Sequence, residues 1–400
     1  MKYTFVKLNN FDKKQISMPS TLFLQSETND PYSIYKTMLE KHPVYWDETN
    51  KIWAIYSYQD CVSILKNLKA EIPTVNPDNE QKLNKYALEI LNNLTRLSNG
   101  IQHEVSKEIA MSLFSNMKSA NINTIISPLI ENDLTAHKID WVNSVCKKLP
   151  VLVVLKSFGF EEKESNFIAE KIEAFSKIML PKKTEEQVKL INNTSEDIFI
   201  LVEKQLFSLN FYKSLVTKVS ESGKLSLDEI KTTCISNLIG LFIQSYDAGR
   251  GILSNSFLQI VTNNTFSNKF EIEKSVIETL RFDPPIHNTR RIAVADIIIG
   301  RSLIKKKDSI FVVLASANRD PEKFENEMNF DIQRNTNNEN LTFGTGGHMC
   351  LAKYFSIHLA TEALWFLFDR YKKIQILENT IEYEPLINAR LPKSIWISLQ

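Results

Sequence analysis

Cysteine is scarce in this chain. The 400 residues hold four, at positions 61, 146, 234 and 350. They are too scattered for a disulfide framework and point to a reducing compartment. Charge of one sign is missing as well: the formal net charge is +1, which gives no electrostatic reason to expect a nucleic-acid partner. With 10 glycines and 13 prolines, no Gly/Ser-rich or Pro-rich linker stands out, and there is no internal repeat or long charge block. Length alone would suit two or three domains; without a visible boundary, a single domain over 1–400 is expected. Met1 to Asp30 lacks the apolar core of a leader, and no hydrophobic run reaches spanning length. The expectation is a cytoplasmic protein without a membrane span. A hydrophobic fraction of 43% can bury a large core.

What is present gathers around Phe343-Gly344-Thr345-Gly346-Gly347-His348-Met349-Cys350-Leu351-Ala352. Glycine allows tight turns and close backbone approach. After Cys350 the apolar residues take helical spacing through Phe368. Cys350 therefore sits where a glycine-rich loop meets a helix start, a setting that favours thiolate. A thiolate so presented is a metal ligand or a nucleophile, unless it is simply a buried, inert side chain. Zinc would need further Cys or His at short spacing. A nucleophile would need a base, and His348 two residues away is weak support.

The pattern Phe-x-x-Gly-x-His-x-Cys-x-Ala, carried by Phe343, Gly346, His348, Cys350 and Ala352, resembles the cysteine-ligand loop of the cytochrome P450 family. The resemblance implies haem b (iron protoporphyrin IX) with Cys350 as axial thiolate. It implies a mainly α fold with a small β portion. Further motifs in the family's order extend it over nearly the whole chain.

Pro31–Lys41 reads as a helix ended by His42-Pro43. Val44–Asp47 and Ile52–Tyr56 read as a hairpin, and Gln59–Asn67 as a second helix. Residues 69–100 start irregularly, with Pro73, Pro77 and Asp78-Asn79; in the family this stretch roofs the substrate pocket. His103 and Lys107 share a helix face. The family has His-x-x-x-Arg there, meeting a haem propionate, so Lys107 keeps the charge but loses the planar fork. Residues 120–220 read as mostly helical, with breaks near Gly159 and Pro181.

The longest helical pattern runs from Leu227 to Leu258, with Ser226 and Glu229 at capping-box spacing. Gly240, Gln244, Ala248 and Gly251 share one face, small enough for close approach of a flat cofactor or of a neighbouring helix. This segment resembles the family's oxygen-binding helix, in which an acid is followed by an alcohol. Asp247 matches the acid; Ala248 occupies the alcohol position. Activating O2 requires protons, and the hydroxyl normally organises the water that carries them. The reading here is that Asp247, with Gln244 or Ser245 and water or substrate, completes the relay. A short connection is expected over 259–277.

Glu278 and Arg281, followed by Phe282-Asp283-Pro284-Pro285, match the family's Glu-x-x-Arg helix, with Arg334 as third member of a buried network that holds the Cys loop. Ile286 to Thr289 would face substrate, and His287 reads as a pocket or surface residue. Arg291 aligns with a propionate-binding arginine, alongside His103, His348 and Lys107. Residues 296–300 and 309–313 read as strands. Tyr371 to Gln400 reads as a closing sheet. Lys353 is a candidate contact for an acidic electron carrier.

The implied activity is monooxygenation of a small-molecule or carrier-bound substrate in secondary metabolism, by hydroxylation or oxidative coupling. Electrons would come from NAD(P)H through a separate reductase and a ferredoxin or flavodoxin. The other reading is a haem-binding accessory protein of the same fold that recruits a partner without oxygen chemistry.

Overall fold

The centre of the computed structural model is a 37-residue helix, Leu227–Asn263. The structure describes residues 20–73, 82–180 and 182–400. Most of the Met1 to Asp30 stretch, Pro77 with Asp78-Asn79, and the break at Pro181 lie outside the described residues.

The long helix starts where its capping box predicts: Ser226 and Glu229 satisfy each other's backbone N–H groups. It stops at Asn264, whose φ of 55° is left-handed. It is buried on nearly every side. Around it pack helices Lys85–Asn92, Gly100–Ser115, Leu149–Ser157, Glu185–Ser208, Lys269–Phe282 and Lys353–Arg370. An all-round apolar helix such as Leu149–Ser157 needs such enclosure.

The small β portion is a five-stranded sheet in the order β1-β2-β8-β5-β3. Its strands are β1 Val44–Asp47, β2 Ile52–Ile55, β3 Ala70–Glu71, β5 Thr289–Ala293 and β8 Ser309–Val312. The hairpin β1–β2 is antiparallel, with Trp46 opposite Trp53, and β2 pairs parallel with β8. β6 Ile297–Ile299 and β7 Ser302–Ile304 form a separate antiparallel pair.

Three expectations change. Residues 259–277 are not a connection: the long helix continues to Asn263 and the next begins at Lys269. Asn268 caps it by accepting from the Glu271 N–H. The closing segment supplies only β9 Ile374–Ile376 and β10 Trp396–Leu399, and these complete a sheet with β4 Lys138–Asp140. The 120–220 region thus donates a strand. Alternation over three residues is too short to register as a period. Among the described residues no helix is long and apolar enough to cross a membrane.

Candidate functional site

The Cys350 loop is a chain of tight turns. Gly344 (φ 67°) and Gly346 (φ 77°) are left-handed. A Cβ on Gly346 would stand 2.7 Å from the Leu65 carbonyl oxygen, so only glycine lets the loop pass this close to helix Tyr58–Lys66. The Cys350 N–H donates to the Phe343 carbonyl at 2.9 Å, and Phe343 packs against core beside the C-terminal helix. That helix, Lys353–Arg370, begins after Ala352. Cys350 keeps accessible surface, although protein crowds it closely enough to disfavour the thiolate. The expectation of a depressed thiol pKa fails for the protein alone. Burial pushes Cys350 up, more than the Ala352 N–H and Arg96 bring it down.

Four cationic or donor side chains gather on one side of the loop. Lys107 donates to the Gly347 carbonyl at 2.7 Å, and His103 Nε2 lies 3.2 Å from the same oxygen. The His103 and His348 rings stand 3.9 Å apart. Burial, then His103, Arg291 and Lys107, hold the His348 pKa down to about 4. Arg291 is buried and lowered to about 10, first by burial and then by Arg96. Its guanidinium donates to Thr289 Oγ1 and the Arg290 carbonyl. Among the described residues none of the four is ion-paired to an acid. Mutual repulsion of this kind suits an anion.

The middle of the long helix keeps part of its surface accessible. Gln244, Ser245, Asp247, Ala248 and Gly249 keep accessible surface, while Phe242, Ile243, Tyr246, Arg250 and Gly251 are buried. The relay expected from sequence is not assembled by direct hydrogen bonds. Gln244 donates to the Gly240 carbonyl at 3.0 Å and Ser245 to the Phe242 carbonyl at 2.9 Å. Asp247 instead meets Arg250, Oδ1 to Nη2 3.0 Å, as a charge contact without hydrogen-bond angles. Arg250 is buried and also reaches Glu384 at 3.2 Å. Sequence reading did not single out Arg250 and Glu384 for this role, because their partnership spans 134 positions.

The glycines of this helix serve packing. A Cβ on Gly240 would meet Leu94 at 2.7 Å; on Gly249, Pro150 at 2.6 Å; on Gly251, Pro285 at 2.4 Å and Leu391 at 2.5 Å. Close neighbours, not an open face, account for Gly240 and Gly251.

Beneath the loop, Glu278 and Arg281 form a fully buried pair, 2.6 Å apart, with Arg334 4.0 Å from Glu278. Arg281 also donates to the carbonyls of Asn318, Glu327 and Asn329. Asn318 accepts from the Leu341 N–H at 2.6 Å and donates to Thr342 Oγ1 at 2.9 Å. A continuous set of bonds thus runs from the pair to the residue before Phe343.

Two further expectations are corrected. His287 is neither at the surface nor in the pocket: it is fully buried, 3.0 Å from the Tyr35 hydroxyl through Nδ1. Its neighbour Asn288 is buried too, donating to the Ile387 carbonyl at 2.9 Å, which leaves Ile286 and Thr289 as the accessible members of that stretch. The Lys353 ammonium, a candidate contact for an electron carrier, donates to the Asn338 carbonyl at 3.1 Å.

Arg96, on the turn Thr95–Leu97, escaped sequence reading. It is enclosed by protein but keeps accessible surface. Cys350 and Asp247 both act on its charge. A lone arginine between Thr95 and Leu97 carries no spacing signal.

Comparison with known proteins places this geometry. The family model "Cytochrome P450" matches residues 272–373. The biotin biosynthesis cytochrome P450 of Bacillus subtilis is 24% identical, covering 96% of this chain and 99% of that protein. Cytochrome P450 119 of Sulfurisphaera tokodaii is 27% identical, over 80% of this chain and 86% of its own. Among solved structures, P450BioI with a hexadecenoic-acid-ligated acyl carrier protein superposes with a TM-score of 0.80 at 22% identity, covering 94% of this chain and 100% of that one. The last likeness speaks for the fold.

Proposed function

The chain belongs to the cytochrome P450 family and is a haem-thiolate monooxygenase, and from that premise we propose how its residues divide the work. The observation that carries the reading is the glycine-built Cys350 loop with an accessible thiol and the donor cluster gathered at its Gly347 carbonyl. These residues fit haem: an accessible thiol, acid-free cations beside it, and a mid-helix stretch that keeps accessible surface. Bound through Cys350, haem supplies activation of dioxygen by electron transfer.

His103, Lys107, His348 and Arg291 take the propionates. Phe343, Gly346 and Ala352 shape the loop that presents Cys350, and the Glu278–Arg281 network fixes that loop from below. Metal binding requires the thiolate, so loading releases a proton that burial otherwise retains.

Asp247 handles protons on the long helix. Arg250 and Glu384 hold its carboxylate in place, while Ala248 contributes no hydroxyl. Water or a substrate hydroxyl therefore supplies the last donor, with Gln244 and Ser245 turned back onto their own helix until that donor arrives.

The substrate is a small or carrier-bound molecule of secondary metabolism, hydroxylated or oxidatively coupled in a single cytoplasmic domain. A carrier-bound acyl group follows the example of the acyl-carrier-protein complex of P450BioI. Electrons reach the site from NAD(P)H through a ferredoxin or flavodoxin and its reductase. The reduced, carbon monoxide-treated protein should show the thiolate-type Soret shift. NAD(P)H-driven turnover with surrogate carriers should then yield oxygenated or coupled product. A normal Soret shift without turnover across carriers and substrates would favour the accessory-protein reading.

A further inference from the structure

The hairpin of β6 and β7 is apolar on both faces. Its register sets Ile297 opposite Ile304 and Ile298 opposite Leu303. Side chains alternate across a strand, so the first pair points one way and the second the other. Ile297, Ile299 and Ile304 join the core of Ile55, Ile310 and Val312. Ile298 and Leu303 point outward, 74% and 42% exposed. An antiparallel pair with one buried face ordinarily turns polar residues to water on the other. Here the outer face keeps isoleucine beside leucine.

Cations bound that face. At its base Lys305 meets Asp296 at 3.0 Å, and Lys69 donates to the Asp296 carbonyl at 3.5 Å. The Val294 N–H donates to the Lys69 carbonyl at 2.9 Å, which brings exposed Val294 and Leu68 to the same base. Arg301 is exposed at the tip, and Lys306 and Lys307 are exposed after β7. The acids of 294–308 are Asp296 and Asp308, and both are engaged. Asp296 also accepts the Lys306 N–H, and Asp308 accepts the Lys305 N–H and the Trp53 indole N–H. The local charge is therefore positive, in a chain with a net charge of only +1. Through Asp308 the basic turn also adjoins Trp53, whose ring stands 5.4 Å from that of Trp46. Both indoles are partly exposed.

We propose that the outer face of this hairpin docks the protein on an anionic lipid surface. Ile298 and Leu303 enter the boundary between headgroups and acyl chains, and the lysines stay among the headgroups. Partly exposed indoles suit the same boundary, since each joins an apolar body to a polar N–H. A second copy of this chain would bring like charges together. An acidic protein is the competing occupant. A handful of apolar side chains is small against the roughly 1,200–2,000 Å² of a stable protein interface. Lysine, moreover, offers a compact point charge in place of the planar fork that pairs carboxylates in fixed geometry. Lipid headgroups require neither shape nor register. The inference goes beyond the haem chemistry, and none of these residues belongs to that site.

The test is co-sedimentation of the haem-loaded full chain with vesicles of phosphatidylcholine alone, or mixed equally with phosphatidylglycerol. Wild type should bind the anionic vesicles at least about tenfold more tightly, and added salt should weaken that binding. Lys306→Gln with Lys307→Gln should lose about tenfold or more, each cation near such a surface being worth roughly fivefold. Ile298→Thr with Leu303→Thr should lose about tenfold, with threonine suited to an exposed strand. Phe270→Thr, at a position 64% exposed on helix Lys269–Phe282, should bind as wild type. An unchanged carbon monoxide spectrum shows that each variant is folded. The proposal is overturned if wild type binds neither vesicle or both alike, which holds whatever the variants do. It is overturned as well if either hairpin variant binds as wild type, or if Phe270→Thr loses as much as they do. Retention of wild type on immobilised polyglutamate without vesicle binding would overturn it too, and would assign the surface to an acidic protein.

Discussion

Replacing Arg281 by methionine tests whether the buried network holds the cysteine loop. The substitution keeps much of the side-chain volume and removes five hydrogen bonds: two to Glu278 and one each to the carbonyls of Asn318, Glu327 and Asn329. Glu278 keeps the Asp331 N–H at 2.9 Å and Arg334 at 4.0 Å. Stranding one partner of a buried pair costs about 3–5 kcal/mol, and each carbonyl left unsatisfied adds about 1 kcal/mol or more. Arg334 still donates to the Asn329 carbonyl at 3.1 Å, so two carbonyls are stranded and the loss should fall between about 5 and 7 kcal/mol, a large share of the roughly 5–15 kcal/mol that keeps a protein folded. With a urea slope of about 3 kcal/mol per molar, the unfolding midpoint should drop by about 1–2 M. Because Asn318 links the pair to Leu341 and Thr342, the damage should reach Cys350. The thiolate-type carbon monoxide signal should weaken before bulk helicity is lost. The double variant Glu278→Leu, Arg281→Met should recover the carboxylate's part of the cost but not that of the carbonyls. A midpoint within about 0.3 M of wild type in the single variant, with a normal carbon monoxide spectrum, would refute the reasoning.

The glycines should rank by what a Cβ meets. Gly346→Ala, with a left-handed backbone and a carbonyl in the way, should lose haem loading. Gly251→Ala, against Pro285 and Leu391, should cost about 1–3 kcal/mol by urea unfolding, and Gly240→Ala less, since only the tip of Leu94 must move. Arg250→Met should leave the fold and haem loading intact but release Asp247 and Glu384. NAD(P)H consumption should then yield more peroxide and less product; unchanged coupling would remove Arg250 from the proton machinery. His287 is held well below its ordinary pKa by burial, then by Arg390 and Arg319. The unfolded chain binds its proton first as pH falls below about 6.5. The neutral buried form thus contributes fully above that pH, and stability should fall by up to about 1.4 kcal/mol per pH unit below it. His287→Phe should flatten that slope between pH 6.5 and 5; an unaltered slope would exclude His287 as its source.

The sequence by itself determined the elements whose signals are local. The Ser226–Glu229 box starts the long helix, His42-Pro43 ends the first, and the glycines before Cys350 mark a tight loop leading into a helix, because capping, proline sterics and glycine turns act over a few residues. Glu278 with Arg281 was legible for the same reason: three positions apart on a helix, they meet. Only the tertiary structure decided which partners these groups find across the chain. It showed that Arg250 joins Asp247 to Glu384, that Gly240 and Gly251 receive Leu94 and Pro285, that His287 turns inward to Tyr35, and that Lys353 is engaged at Asn338. Such pairings depend on how distant segments pack, and desolvation follows packing. That is why the Cys350 thiol is raised where its helix-start position alone suggested the opposite: the dipole is written locally, the burial that outweighs it is not.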